Sequence, residues 1–498
     1  MIEINPKALG LVLGAVTVTY YLTQQFRDQL RDVPGPRLAR ISRLWYLWKV
    51  YRGNFHEENI RLHKKYGPLV RIGPNLVSAD SSEAIKVLYA PGSKFPKGDW
   101  YRSWNGPTAR QSSLFALSDI RAHSDMRKKY SQLYSMTSVV LYEGLVENTI
   151  KLFKARIDDF VTGEKVMDVQ KWMQMFSFDA ISQLTFSEPI GFIETGDDIG
   201  NLLGSLEQFN ALMTFFGIFP GIIEMLWKVI GDFGASDYLI EFTARSIEKL
   251  KEARDDVSDG NTSFLGKLLS LSSGNPEKYS PMIVFGGPAM NIFAGSDTTS
   301  ITLTAIFYHL MKNPSCMAKL QEEVDRATTE GNLSDPPSFP EAQKLQYLQA
   351  VIQEALRIHP AVGLPMFRRV PMGGTTISST FFPEGIEVGV NPWVAHHNQS
   401  AFGQDAGEFN PDRWIETDSA TQSIMQKSYI PFGAGARTCI GKNISLLEIS
   451  KLVPYLVRNY DFQVVTDKWE STNRWFVKPH GFEVLVKARS LLPDTDAS

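Results

Sequence analysis

The chain has 498 residues but only two cysteines, Cys316 and Cys439, too few for a disulfide-stapled scaffold. Cys316 falls in the helix-like stretch NPSCMAKLQEEV, where a thiol packs as a small apolar group, and this usage fits a reducing compartment. Neither charge is in excess: 51 Lys and Arg face 54 Asp and Glu, a net −3, and no long basic block could track a nucleic-acid backbone. Nucleic acid is therefore excluded as a partner. No internal repeat is evident, and no second Pro/Gly/Ser linker follows residue 36, which argues against an array of modules. A Gly-x-Gly-x-x-Gly dinucleotide fingerprint is also missing. Gly433-x-Gly435 comes nearest, but Thr438 stands where the last glycine belongs.

Long apolar runs are scarce as well, with one exception at the N-terminus. Ala8 to Leu22 carries no charge, and extension back to Ile4 gives the roughly 17 to 25 residues a bilayer needs. A secretory signal peptide is the other reading of a run this short and threonine-diluted, although no small-residue cleavage site follows it. Arg27, Arg31, Arg37, Arg40, Arg43 and Lys49 lie on its C-terminal side, so the positive-inside bias predicts a lumenal N-terminus and a cytosolic body. Val33-Pro34-Gly35-Pro36 then interrupts any helix. The expected division is a transmembrane anchor and linker at 1–33 with its span at about 4–22, one large globule at 34–490, and a flexible tail at 491–498.

Within the globule, residues 66–90 read as a hairpin followed by a helix. Strand-like runs return at 372–393 and 461–487. Helical periodicity covers 122–160, 168–185, 238–256, 281–312, 314–328, 340–359 and 440–459. The expected fold class is mostly α, with a minor β-sheet built from distant parts of the chain and with 43% hydrophobic residues to fill its core.

Chemistry concentrates in Pro431–Lys442, PFGAGARTCIGK. A thiolate is favoured at a helix N-terminus, and Ile440, Ile444, Leu447, Leu452 and Leu456 mark a helix beginning just after Cys439. Gly433 and Gly435 let the backbone turn tightly and approach something flat, and Arg437 offers a rigid fork for a carboxylate. These features suit a planar, carboxylate-bearing, thiol-ligated cofactor; an inert cysteine in a glycine turn fits the same residues.

The run Phe432-Gly433-Ala434-Gly435-Ala436-Arg437-Thr438-Cys439-Ile440-Gly441 resembles the Phe-x-x-Gly-x-Arg-x-Cys-x-Gly signature of the cytochrome P-450 haem-thiolate monooxygenases at every fixed position. Three further stretches resemble that family's motifs in order. Ala294-Gly295-Ser296-Asp297-Thr298-Thr299 resembles the oxygen-activation motif, Glu354-Ala355-Leu356-Arg357 the acid–base helix pair, and Phe409-Asn410-Pro411-Asp412-Arg413-Trp414 the segment whose arginine joins that pair. The resemblance implies the cytochrome P-450 fold over 34–490 and haem b as cofactor, with Cys439 as its axial iron ligand. Phe432, Gly433 and Gly441 would shape the loop around that cysteine. Arg437, Arg127, His123 and Arg368 would meet the haem propionates, with Arg369 an alternative to its neighbour. Glu354, Arg357 and Arg413 would form a buried structural network. Thr298 and Asp297 would be the catalytic pair, the hydroxyl bonding dioxygen and the acid relaying protons, although a helical threonine also bonds back one turn and an aspartate can simply be solvated. Gly295 would make room for a small ligand.

Electrons must then come from elsewhere. The resemblance implies an NADPH-cytochrome P-450 reductase and cytochrome b5 as partners, O2 and a lipophilic small molecule as substrates, and a single-pass endoplasmic reticulum membrane location, as in fungal microsomal members of the pisatin-demethylase type. Lys128, Lys129, Lys427 and Lys442 are candidates for a docking face, or are only solubilising. The aromatic-rich region 207–233 is either core or a lid touching the bilayer, and Trp100, Trp104, Phe115, Val362 and Leu364 are candidate pocket residues. Hydroxylation or demethylation in secondary-metabolite biosynthesis or detoxification is the expected activity. A haem-thiolate isomerase or dehydratase, or a non-catalytic haem sensor, are the competing readings.

Overall fold

The hairpin expected over 66–90 forms around a turn at Pro74-Asn75: β1 (Leu69–Gly73) pairs antiparallel with β2 (Leu76–Ala79), Leu69 opposite Ala79. In this computed structural model, residues 29–105, 113–222, 225–226, 237–256 and 263–489 are described. The expected span at 4–22, the tail at 491–498 and parts of 207–233 lie outside them. Among the described residues no helix is long and apolar enough to cross a membrane.

α1 (Leu44–Tyr51) precedes the hairpin, and α2 (Ser82–Tyr89) follows it, opened by the Ser81 hydroxyl accepting from Ala84 N. The far half of the chain completes the sheet. β3 (Arg368–Arg369) lies antiparallel to β4 (Glu387–Val390), and β4 runs parallel to β2. Every residue of β1, β2 and β4 is buried, as their leucine and β-branched content suits.

The single helix expected over 122–160 is broken. α3 (Ile120–Tyr130), capped by Asp119, gives way to a turn where the Ser135 hydroxyl caps a new short helix, Met136–Leu141, before Glu143–Thr162 continues. Serines inside the periodic run supplied acceptors for new helix starts. α4 (Val169–Phe186) is buried nearly all round. α5 (Leu202–Ile218) was not anticipated, because its apolar residues follow no clean one-face period. α6 (Pro281–Lys312) runs 32 residues, about 48 Å at the helical rise, with Pro281 in its first turn. α7 (Gln346–Ile358) and α8 (Lys442–Asn459) complete the frame, and the main core fills the space between α4, α6, α7 and α8. A long hairpin of β5 (Tyr460–Arg474) and β6 (Phe476–Ala488) closes the chain.

Gly295 is where α6 meets α4. A Cβ there would fall 2.9 Å from Ile181 Cγ1, so the missing side chain makes room for a neighbouring helix, which corrects the expectation of room for a ligand.

Candidate functional site

Cys439 stands at the entry to α8. Its backbone N–H donates to the Phe432 carbonyl at 2.8 Å, closing the loop on itself. Gly433 and Gly435 adopt φ of +71° and +65°, the left-handed region that disfavours side chains. At Gly435 a Cβ would collide with the Tyr89 carbonyl at the end of α2, so this glycine serves chain packing and not the approach to a flat group that was expected of it. At Gly433 the nearest atoms to such a Cβ are 3.9 Å away, and that side is open.

The Cys439 side chain is exposed, yet enough protein surrounds it to desolvate the thiol. That enclosure pushes its pKa up, while the backbone N–H groups of Gly441 and Lys442 and the Arg127 guanidinium pull it down. A coordinated metal ion decides such a balance, since it deprotonates a ligating thiol outright. Among the described residues no cluster of three His, Cys, Asp or Glu could hold an ion. A lone thiolate suits a metal that brings its other donors with it, as a porphyrin does.

Beside the loop, His123, Arg127, Arg368 and Arg437 line a cavity of about 280 Å3. Arg127 donates to the Thr438 carbonyl at 2.7 Å, and Arg437 to the carbonyls of Leu117 and Ser118 at 2.5 and 2.8 Å. Arg368 donates to the Phe367 carbonyl and lies 4.8 Å from the Tyr89 ring centre. None of the three guanidiniums makes an ion pair among the described residues. Burial and Arg368 push Arg437 down to about 10, and burial together with the surrounding cations pushes His123 down to about 3, leaving it a neutral donor. This anion-hungry cradle fits a dicarboxylate cofactor. The register at 368–369 resolves: Arg368 is buried in the cradle, whereas Arg369 turns outward to Asp99 at 3.4 Å.

On α6, Thr298 donates to the Ala294 carbonyl at 2.8 Å, the back-bond of a resting helical threonine. Asp297 is buried and doubly held, accepting from Gln174 Nε2 at 2.7 Å and pairing with Lys478 Nζ at 2.9 Å. Sequence reading missed Gln174 and Lys478, which arrive from α4 and β6 and carry no local signal. Glu354 and Arg357 are fully buried. Glu354 accepts from Arg357 at 2.7 and 2.8 Å, from Arg413 at 3.0 Å, from Trp414 Nε1 at 2.9 Å and from Asn410 N at 2.9 Å. Asp405, another residue missed, takes the remaining face of Arg413 at 2.7 Å.

A second cavity, of about 430 Å3, is walled by Trp104, Phe115, Phe209 of α5, Phe293 of α6 and Ile440, the neighbour of Cys439. Trp104 and Phe115 thus line it as expected. Trp100 does not, because it stacks on Trp475 at 4.5 Å and donates to the Thr214 carbonyl, and Val362 and Leu364 also lie outside its walls.

Comparison with known proteins agrees with this geometry. The family model for cytochrome P-450 matches residues 34–486. Two pisatin demethylases of Fusarium vanettenii are 37% and 35% identical, the alignments covering 96% and 98% of this chain and 94% of each relative. The cytochrome P-450 monooxygenase mpaDE of Penicillium brevicompactum is 34% identical over 97% of this chain and 58% of its own length. The chain therefore belongs to the cytochrome P-450 family and is a haem-thiolate monooxygenase whose cofactor is haem b.

Proposed function

We propose that this enzyme uses NADPH-derived electrons, delivered by a separate flavoprotein reductase and by cytochrome b5, to hydroxylate or demethylate a lipophilic, ring-containing small molecule of fungal secondary metabolism or detoxification. One observation carries the substrate class: the cavity of about 430 Å3 beside Ile440 is walled almost wholly by aromatic and aliphatic side chains. The relatives named as pisatin demethylases and as a monooxygenase support the reaction class.

Haem, held through the Cys439 thiolate, would supply oxygen activation, and that thiolate would favour O–O cleavage by its electron donation. The chain's own groups do the rest. The N–H groups of Gly441 and Lys442 and the Arg127 guanidinium stabilise negative charge on Cys439 Sγ. His123, Arg127, Arg368 and Arg437 hold the propionates, and Phe432, Gly433 and Gly441 shape the thiolate loop. Thr298 Oγ1, released from the Ala294 carbonyl, donates a proton into the site. Asp297 returns that proton to the Thr298 oxygen after its carboxylate leaves Lys478, whose side chain is partly exposed, and takes up a proton from solvent. Glu354, Arg357 and Arg413 hold the framework.

The electron donor docks beside the thiolate loop, where Lys128 and Lys442 are exposed and Lys129 and Lys427 extend the basic face. We assign the protein to the endoplasmic reticulum membrane, anchored by residues 4–22 with its body cytosolic. Exposed Leu44, Trp48 and Tyr51 of α1 support this, as does Leu212 of the adjoining α5, since together they offer an apolar surface to lipid. Co-expression with a reductase in microsomes, followed by a screen of terpenoid, alkaloid and aromatic compounds, tests the assignment. A gain of one oxygen or loss of a methyl group at the expense of NADPH is expected, and turnover of a peroxide without NADPH would refute it. Thr298→Ala is expected to retain haem but divert electrons to peroxide.

A further inference from the structure

Three tryptophans spend their indole N–H inside the chain. Trp100 Nε1 donates to the Thr214 carbonyl at 3.1 Å, Trp393 Nε1 to the Pro360 carbonyl at 2.8 Å and Trp414 Nε1 to Glu354 at 2.9 Å. Trp104 departs from this pattern. It is only 8% exposed, and its Nε1 is buried without a hydrogen-bond partner among the described residues. An indole nitrogen can only donate, and a donor withdrawn from water without an acceptor is costly, so a buried one usually finds a partner. The rings around Trp104 supply none. Phe115, Phe209 and Phe293 lie with their centres 5.4, 5.9 and 6.0 Å from its own, and an N–H over a phenyl face is a second-order contact.

All four rings wall the cavity of about 430 Å3 beside Ile440. Its other polar side chains are occupied: the Tyr130 hydroxyl donates to the Ile283 carbonyl, the Tyr134 hydroxyl to Asn291 Oδ1, and Ser113 Oγ accepts from Ala116 N. Of the buried side-chain polar atoms on these walls, Trp104 Nε1 is the one without a partner among the described residues. Water is a poor substitute, since an ordered molecule needs about two to four polar partners and three phenyl rings offer none. We propose that Trp104 is a specificity-determining donor: its Nε1–H bonds an acceptor oxygen, a carbonyl or an ether, on an otherwise apolar ring-containing substrate and fixes the orientation in which that substrate is oxidised. This rests on the lipophilic-substrate reading and narrows it. A hydrocarbon of the same shape fills the cavity but leaves the N–H bare, and a site built to bond an oxygen discriminates against the analogue that lacks it.

The test uses the full-length, haem-loaded protein and two probes of one ring skeleton, 9-fluorenone and fluorene, which differ by a carbonyl in place of a methylene. Dissociation constants are read from the Soret band for the wild type, Trp104→Phe and Trp100→Phe. Phenylalanine keeps an aromatic wall and removes the N–H. The ratio of the ketone's constant to the hydrocarbon's is expected to rise about tenfold in Trp104→Phe, the loss of one hydrogen bond to a buried acceptor. It is expected to stay at the wild-type value in Trp100→Phe, whose N–H is already spent on Thr214. Loosened packing moves both constants together, so an unchanged ratio in Trp104→Phe overturns the proposal, as does an equal rise in Trp100→Phe. A second measurement needs only the wild type: the carbonyl stretch of bound 9-fluorenone, read by infrared difference, is expected to fall from its frequency in hexane toward that in alcohol. A hexane-like frequency also overturns the proposal. If neither compound moves the Soret band of a wild type whose reduced carbon-monoxide band is normal, the lipophilic-substrate reading fails and this proposal with it. Binding of both with an unmoved ratio refutes the donor alone.

Discussion

At Glu354 the charged atoms find their partners inside the chain, whereas among the described residues the guanidiniums of Arg127, Arg368 and Arg437 donate to backbone carbonyls and pair with no carboxylate. Both groups are largely withdrawn from water. The first closes on itself: two carboxylate oxygens meet Arg357, Arg413, Trp414 and a backbone N–H, and the outer faces of the arginines meet carbonyls of residues 396–408. The second has a surplus of positive charge and a cavity in front of it. A closed charge network is a framework that a ligand would only disturb, while an open one is half of a binding site, because the electrostatic cost of assembling it is offset only when an anion arrives.

Opening the closed network should have the largest effect. Glu354→Ala strands the buried Arg357 guanidinium and leaves Arg413 with Asp405 alone, and breaking a buried pair typically costs about 3–5 kcal/mol. Little haem-loaded protein is expected from this variant. The yield of reduced, carbon-monoxide-binding protein measures it, and a wild-type yield would show that the network is dispensable.

A third buried group sharpens the contrast, since Glu448 of α8 has no counter-charge among the described residues. It is 0% exposed, and neither carboxyl oxygen has a hydrogen-bond partner among the described residues. The nearby Thr299 hydroxyl favours the ionised form slightly but does not sit at bonding geometry, being paired with Ser445 at 2.8 Å, so burial wins and pushes the pKa up to about 8. The chain handles this charge by keeping the proton. Below the ordinary carboxyl pKa, Glu448 is protonated in both folded and unfolded states. As pH rises from there toward 8 the unfolded chain ionises and the folded one does not, so stability falls across that window. Glu448→Gln is expected to remove this fall, gaining roughly 3 kcal/mol over the wild type at pH 8 relative to pH 5. Denaturant melts at the two pH values check this, and parallel losses in both proteins would count against a retained proton.

The same contrast explains what could be read without coordinates. The thiolate loop was legible because its determinants lie within ten residues: the glycines, Arg437 and the start of α8 are all local. Glu354, Arg357 and Arg413 were legible as a pattern, but the closure by Trp414 and Asp405 was not. Asp297 was found, whereas Gln174 and Lys478 come from α4 and β6, and only tertiary packing brings them to it. Packing also overruled local reasoning at Gly295 and Gly435, whose missing side chains accommodate Ile181 and the Tyr89 carbonyl. α5 escaped notice since a helix without a one-sided apolar stripe leaves no period to detect.

Arg368 and Arg369 offer the smallest effects and the finest cut between open and closed charge. Consecutive residues on β3 point to opposite faces of the sheet, so sequence alone could assign either one to the cofactor. Packing separates the two: Lys97 bridges the strand at Arg368, and the Tyr89 ring lies beside that guanidinium, while Arg369 faces Asp99 from a side chain 43% exposed. An exposed pair of this kind contributes about 0–1 kcal/mol. Arg369→Met should therefore shift the melting midpoint of the holoprotein hardly at all and leave haem transfer to apomyoglobin at the wild-type rate. Arg368→Met should speed that transfer about tenfold, the loss of one charge-assisted bond to a propionate. Because the two substitutions remove the same side chain from adjacent positions, a difference between them cannot come from net charge or helix propensity. Equal rates would place the cofactor's carboxylates away from β3, and a faster loss from Arg369→Met would reverse the assignment of the two faces.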